Sequence, residues 1–305
     1  MPTSHTLRIN VVPPFDLDVV LGGHGWVALA PHEYQRERRR LHSAVDLSTL
    51  AGGRGPVVDI ELRPGPKSNV LSAVVSGRRA LERAQLELVR RALTKTLSLE
   101  LDLNPFWRRC AQVPRLRWVA DQGAGRLMCS PTLFEDLLKL LMTTNCSWAN
   151  TKSMVRRTTE ALGRRAPSGR RAFPGARTCA AQPESFWRDE IRTGYRAAHC
   201  KALAEGFATG ELPESLDPAL PTAELRRRLL ALPGFGPYAV GQALRLLGHF
   251  DDLALDSWVR KRAAQLHGLT PGDDRAIAAR YQDFERYAGL ALWMDMIADV
   301  PVDQL

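Results

Sequence analysis

The chain has 305 residues, more than one hydrophobic core usually serves, so two or three packed units are expected. Hydrophobic residues make up 45% and aromatics 7%, which excludes long disorder, and no apolar run reaches the roughly 18 residues of a membrane span. Lys plus Arg total 42 against 33 Asp plus Glu; the net +9 suits a polyanionic partner, although arginine outnumbers lysine 36 to 6, a bias that a GC-rich genome alone would also produce.

The opening MPTSHTLRIN lacks a charged segment followed by an apolar one, so no signal peptide is expected. The five cysteines form no CxxC pair, which argues against a disulfide framework, a zinc site and an iron–sulfur cluster, and fits a reducing cytoplasm.

From residue 5 to about 75 the apolar positions alternate, and TLRINVV, FDLDVVLG, GWVALAP, VVDIELRP and NVLSAVVSG read as short strands broken by Pro and Gly. Residues 79–97 then have helical spacing, so residues 1–124 are expected to form an antiparallel sheet with a helix against it. Residues 125–305 read as mainly helical, which makes the fold class α+β. Ser130-Pro131 suits a helix start for LFEDLLKLLM, and Ser147 suits the cap of a second helix through Ala161. GRRAPSGRRAFPGAR reads as a loop, and helices are expected near 183–193, 196–208, 222–231, 237–248, 257–267 and 274–297.

Between the helices of 222–248 lies LPGFGPYAV, Leu232 to Val240. An ordinary helix connection needs one residue able to take positive φ, and here Gly234 and Gly236 flank Phe235 before Pro237 opens the next helix. Two glycines give a backbone bare on one side, and successive N–H groups with a helix N-terminus behind them make a seat for a phosphate. A tight helix corner would use the same residues. Downstream, Asp256 precedes DSWVRKRAAQL, where it suits an N-cap; the same carboxylate can also face a sugar of a strand held at the turn.

LPGFGPYAV followed by LALDSW resembles the helix-hairpin-helix DNA glycosylases, whose motif ends in a catalytic aspartate. SPTLFEDLLKLLMTTNCSWA, AFPGAR, RTGYRAAHCKALA and YAGLALWMDMIADV are similar to further segments of the 8-oxoguanine glycosylase branch. The strand-rich start fits the extra domain that this branch shares with the 3-methyladenine DNA glycosylase II branch. The resemblance implies a two-lobed helical core and a partner of double-stranded DNA bearing a damaged base, bound by a monomer without a membrane. It implies Asp256 as the catalytic carboxylate and Leu232, Gly234, Phe235, Gly236 and Tyr238 as the phosphate-binding hairpin, with a monovalent cation at the turn and no other cofactor. Asn145 and Arg196 would contact the base left unpaired, and Tyr195 would wedge into the stack. The base pocket would draw on Trp148, Tyr238, Gln242, Trp258, Leu292, Trp293 and Met296.

The departures from the family pattern carry chemistry. Members that also cut the strand place a lysine two residues past the second glycine as an imine-forming nucleophile; here that residue is Tyr238, which implies hydrolysis without lyase activity. Lys261 lies on the helix after Asp256 and is not given that role. Leu292 stands where the 8-oxoguanine branch has a glutamine, Met296 where it has a phenylalanine, and Asn150 where it has an arginine. Fewer polar readers with tryptophans kept leans toward alkylated, cationic purines held by ring faces, worth about 0.5–2 kcal/mol. Excision of oxidised or deaminated purines, and a DNA-binding module without turnover, are the alternatives.

Overall fold

The computed structural model describes residues 2–50 and 54–300. Strands β1 (Thr3–Asn10), β2 (Glu33–Gln35), β3 (Arg40–Asp46), β4 (Val57–Pro64) and β5 (Val70–Gly77) form one antiparallel sheet in the order β1-β5-β4-β3-β2. Alternation decides its inner face: Leu71, Ala73 and Val75 of β5 are buried and their neighbours are not, and Ile60 and Leu62 of β4 lie opposite Val75 and Ala73.

Two expected strands are helical instead. FDLDVVLG holds helix α1 (Leu17–Leu21), because the Asp16 carboxylate accepts the N–H groups of Asp18 at 2.8 Å and Val19 at 3.4 Å and so caps a turn that buries Leu17, Val20 and Leu21. GWVALAP holds a single 3-10 turn at Gly25–Ala28. The strands missed by alternation, β2 and β3, lie on either side of the charged RERRR stretch. Its Arg39 takes φ 48° and pairs with Asp16 at 2.8 Å, so these charges build the hairpin that closes the sheet edge.

Helix α2 (Arg83–Thr96) follows the sheet, opened by a capping box between Glu82 and Gln85. Then come α3 (Asn104–Cys110), α4 (Arg117–Gln122), α5 (Leu133–Leu141) and α6 (Trp148–Leu162). Thr132, rather than Ser130, caps α5 by accepting the Glu135 N–H at 3.2 Å, and Ser147 caps α6 as expected, accepting from Asn150 at 3.3 Å. After α7 (Ala176–Ala180) the helix expected at 183–193 is only a π-turn, Phe186–Glu190. Helices α8 (Ala197–Thr209), α9 (Thr222–Leu230), α10 (Pro237–Leu246) and α11 (Ser257–His267) match their expected positions closely. The single helix expected at 274–297 is split into α12 (Asp274–Tyr281) and α13 (Ala288–Ile297), since Glu285 between them takes φ 50°.

Two cores result. One joins the inner face of the sheet to α2, α5, α8, α9 and α10 through residues such as Leu62, Val89, Leu138, Leu203 and Leu244. The other packs Phe106 of α3 and Val119 of α4 against Val259, Ile277, Leu290 and Met294, so α3 and α4 share their interior with the C-terminal helices rather than with the sheet. The arginine-rich loop after α6 is tied to the sheet: Arg164 pairs with Asp46 at 2.9 Å, Arg170 with Glu33 at 2.7 Å, and the Ser168 N–H with Asp59 at 2.8 Å. Part of the positive charge is therefore structural. Among the described residues no helix is long and apolar enough to cross a membrane.

Candidate active site

Helices α9 and α10 make the hairpin. Gly234 takes φ +80°, and a β-carbon there would lie 2.9 Å from the His199 ring and 3.0 Å from Leu141, so both backbone conformation and packing require glycine. Gly236 is different. Its φ is −96°, and a β-carbon added to it would meet nothing within 4 Å. The fold does not require glycine at 236. Pro237 occupies the first turn of α10, no side chain caps that helix, and its leading N–H groups are left open beside bare backbone. Leu232 and Phe235 point inward and pin the turn to the first core.

Asp256 caps α11, its Oδ1 accepting the Val259 N–H at 2.7 Å; of its two carboxyl oxygens only Oδ1 has a partner among the described residues. The residue is half-buried and lines a cleft of about 290 Å³ at the seam between the two cores. The cap and the cleft-facing carboxylate are thus one side chain.

The same cleft receives Trp148, Tyr238, Gln242, Trp258 and Trp293. Trp258 and Trp293 stand with ring centres 5.8 Å apart at 53°, and the Trp293 indole N–H donates to the Gly23 carbonyl at 2.8 Å, which holds its ring face in place. Burial raises the Tyr238 phenol above its ordinary pKa, with the nearby Asp256 charge acting in the same sense, so at neutral pH it is a neutral hydroxyl. Among the described residues no lysine lines the cleft, and Lys261 is exposed on α11.

Two expected pocket residues are elsewhere. Leu292 and Met296 are both 0% exposed and belong to the second core. They lie on α13 one position before and three after Trp293, and the helix can turn only one face to the cleft. Asn145 and Tyr195 are exposed, Asn145 in a left-handed conformation at φ 46° and Tyr195 with 61% of its surface free. Arg196 is not available to an unpaired base: it is buried, its Nη2 and its Nε at 3.1 Å bond Thr144, its Nη1 bonds the Thr193 carbonyl at 3.2 Å, and its guanidinium lies 4.5 Å from the Tyr195 ring centre. It clamps the turn carrying Asn145 to the one carrying Tyr195.

Several wall residues escape sequence reasoning. Trp26 comes from the turn read as a strand and His24 from the residue before it, and the Trp26 indole donates to the buried Asp136 at 2.8 Å. His24 bonds the Met128 carbonyl at 2.5 Å; burial lowers its pKa to about 4, so it is uncharged at neutral pH. Thr143, Cys146 and Thr151 line the same wall. Arg245 is 4% exposed, donates to Gln242 Oε1 at 3.1 Å and to the Leu253 carbonyl at 3.4 Å, and packs 4.6 Å from the Trp293 ring centre. A signal for it exists: Tyr238, Gln242 and Arg245 are spaced i, i+4, i+7 on the helix after the glycines, which is one face.

This architecture is that of solved DNA glycosylases. The chain superposes on the 8-oxoguanine glycosylase/lyase of Clostridium acetobutylicum with a TM-score of 0.72 at 17% identity, covering 98% of each chain. It superposes on the 3-methyladenine DNA-glycosylase of Archaeoglobus fulgidus with a TM-score of 0.74 at 16% identity, over 96% of this chain and 99% of that one. The Clostridium enzyme in complex with double-stranded DNA containing cytosine opposite 8-oxoguanine gives 0.69 at 16% identity, over 96% of each. No family model and no curated protein matches the chain by sequence. At these identities the likeness establishes the fold, and the chemistry rests on the cleft.

Proposed function

We propose that the protein is a monofunctional DNA glycosylase that binds double-stranded DNA as a monomer, rotates a damaged base into the cleft, hydrolyses its N-glycosidic bond and leaves an intact abasic site. The observation that carries this reading is the convergence of Asp256 and Tyr238, two residues past the bare turn at Gly236, on one indole-walled cleft. A base in a duplex is out of reach of any side chain until it is flipped out, at a cost of a few kcal/mol. The hairpin N–H groups would seat a backbone phosphate, and a monovalent cation would be held by main-chain carbonyls of the turn. Carbonyl oxygens suit a hard monovalent ion. Asn145 and Tyr195 would fill the gap left in the duplex, with Arg196 holding them in place.

As the bond breaks, positive charge develops on the deoxyribose, and the free Asp256 oxygen would stabilise it and orient the attacking water. Hydrolysis without strand cutting is supported by the absence of a lysine from the described cleft wall. End-labelled duplexes, each with one lesion, test it: the expected product strand appears only after hot alkali. Nicking before alkali would show lyase chemistry and overturn the monofunctional reading. A flipped purine would stack on a tryptophan face of the cleft wall. The lean toward alkylated purines is favoured by the Trp258–Trp293 pair but loses its second premise, because Gln242 and Arg245 supply polar readers that Leu292 and Met296 do not.

Gly236→Ala separates a fold requirement from a ligand requirement. Because the added methyl meets nothing and φ is ordinary, the melting temperature is expected to stay unchanged. Binding to a duplex with an abasic-site analogue, read by fluorescence anisotropy, is expected to weaken about tenfold, or ~1.4 kcal/mol, as the methyl blocks the phosphate. Undiminished binding would remove the hairpin from the interface.

A further inference from the structure

The cleft contains one buried cation that the hydrolytic scheme above leaves unused. Arg245 is held on three sides, by Gln242 Oε1 at 3.1 Å, by the Leu253 carbonyl at 3.4 Å and by the Trp293 ring at 4.6 Å, yet its Nε is buried without a partner. It makes no ion pair with Asp256, although both line the cleft and the aspartate's charge raises its pKa. Burial has the larger, opposite effect and brings that pKa to about 10, which still leaves the group charged at neutral pH. A desolvated arginine with a spare donor is costly to the fold, so a ligand that completes its hydrogen bonds is the natural partner.

We propose that Arg245 selects electrically neutral, carbonyl-bearing bases and stabilises the departing base, which makes it a catalytic residue for oxidised or deaminated purines and a barrier to N-alkylated ones. The inference rests on the glycosylase reading and names the substrate class of the same site. When the C1′–N bond of a neutral base breaks, its electron pair goes to the base nitrogen, and negative charge spreads to the ring carbonyl oxygen. The guanidinium opposes that charge, while Asp256 opposes the positive charge on the sugar. Water adds to C1′ through oxygen, its proton passing by way of Asp256 to solvent, and the base takes up a proton from solvent. Gln242 supports the same polarity: its carbonyl oxygen already accepts from Arg245, while its amide N–H groups have no partner among the described residues and can donate to a base carbonyl. An N-alkylated purine is already cationic and leaves as a neutral molecule. It gains nothing from Arg245 as a leaving group and is repelled by it on entry. With His24 neutral, Arg245 and Asp256 are the charged side chains on the described wall.

The test is single-turnover excision by the full chain from duplexes carrying 8-oxoguanine, hypoxanthine or 7-methylguanine, with wild type, Arg245→Lys and Arg245→Gln. Melting curves and anisotropy on an abasic-analogue duplex run alongside. Wild type is expected to excise at least one neutral lesion faster than 7-methylguanine. Arg245→Gln is expected to slow that excision roughly 100-fold, the effect of removing one preorganised electrostatic donor, without slowing 7-methylguanine. Arg245→Lys, which keeps the charge, should retain excision within about tenfold, and it carries the test if the glutamine variant does not fold. Equal loss on neutral and cationic lesions by a folded Arg245→Gln would make the arginine merely structural and overturn the inference. Wild type that prefers 7-methylguanine would overturn it while leaving the glycosylase reading intact. Wild type that binds the duplex and releases no base would end both.

Discussion

Asp256→Asn is expected to abolish base excision, by about 10³-fold or more in single-turnover rate, while the protein melts within about 1 kcal/mol of wild type. The two halves of this expectation come from the two oxygens. Oδ1 accepts the Val259 N–H at 2.7 Å as the cap of α11, and an asparagine oxygen can accept that bond equally well, since Asn and Asp are comparable N-caps. The other oxygen and the negative charge have no such structural task among the described residues, and the residue lines the cleft. Removing the charge leaves nothing to oppose the cation forming on the sugar and no base for the water. Asp256→Ala should lose excision as well and about 1 kcal/mol of stability, because the cap goes with it. DNA binding should survive in the asparagine variant. Full excision by a folded Asp256→Asn protein would assign the carboxylate to capping alone.

Gly289→Ala should be strongly destabilising, since its added methyl makes the tightest overlap among the described glycines. A β-carbon there would lie 1.9 Å from the carbonyl oxygen of Asp252, 2.8 Å from its carbonyl carbon and 2.9 Å from the Phe250 carbonyl oxygen. These are backbone atoms, so no rotamer change relieves the overlap, and the Gly289 N–H is also bonded to the Phe250 carbonyl at 2.6 Å. On the other side, a β-carbon on Gly241 of α10 would meet the Ala254 side chain at 2.8 Å and its Cα at 2.9 Å. The segment 250–256 is thus clasped between two glycine-bearing helices, with Asp252 paired to Arg226 and Thr222 donating to Asp251 at 2.7 Å. That segment delivers Asp256 to the cleft. We expect Gly289→Ala to cost about 3 kcal/mol as an overpacked site, seen as a fall of roughly 5–8 °C in melting temperature. Excision should fall about 10²-fold even below the melting range, because an ångström of displacement at a catalytic group has that effect. An unchanged melting temperature would mean that α13 can slide away from the 250–252 backbone freely.

Much of the site follows from local chemistry. Helix boundaries at 147–148, 236–237 and 256–257 are written locally: Ser147 and Asp256 each accept an N–H three residues on, and Pro237 presets the first turn of α10, so no distant contact is needed to place them. The glycine turn and the aspartate behind it are legible for the same reason. FDLDVVLG misleads because five residues hold too few turns to separate a period of 2 from 3.6, and a single carboxylate, Asp16, tips the balance. Leu292, Trp293 and Met296 all sit on an apolar helix, and nothing in spacing tells which of its faces meets solvent-filled space rather than α3 and α4.

What the chain determines by itself, then, is where elements start and stop, the α+β class and the presence of a hairpin with an acid behind it, because these depend on neighbours along the backbone. What the tertiary structure decides is the company that acid keeps. His24 and Trp26, far off in sequence, come to the wall of its cleft; Arg196 is turned inward as a clamp; and Arg245 is buried there with its Nε unpaired. The physical reason is burial: the worth of a charge or a ring face depends on how much water the surrounding elements exclude, and only packing sets that.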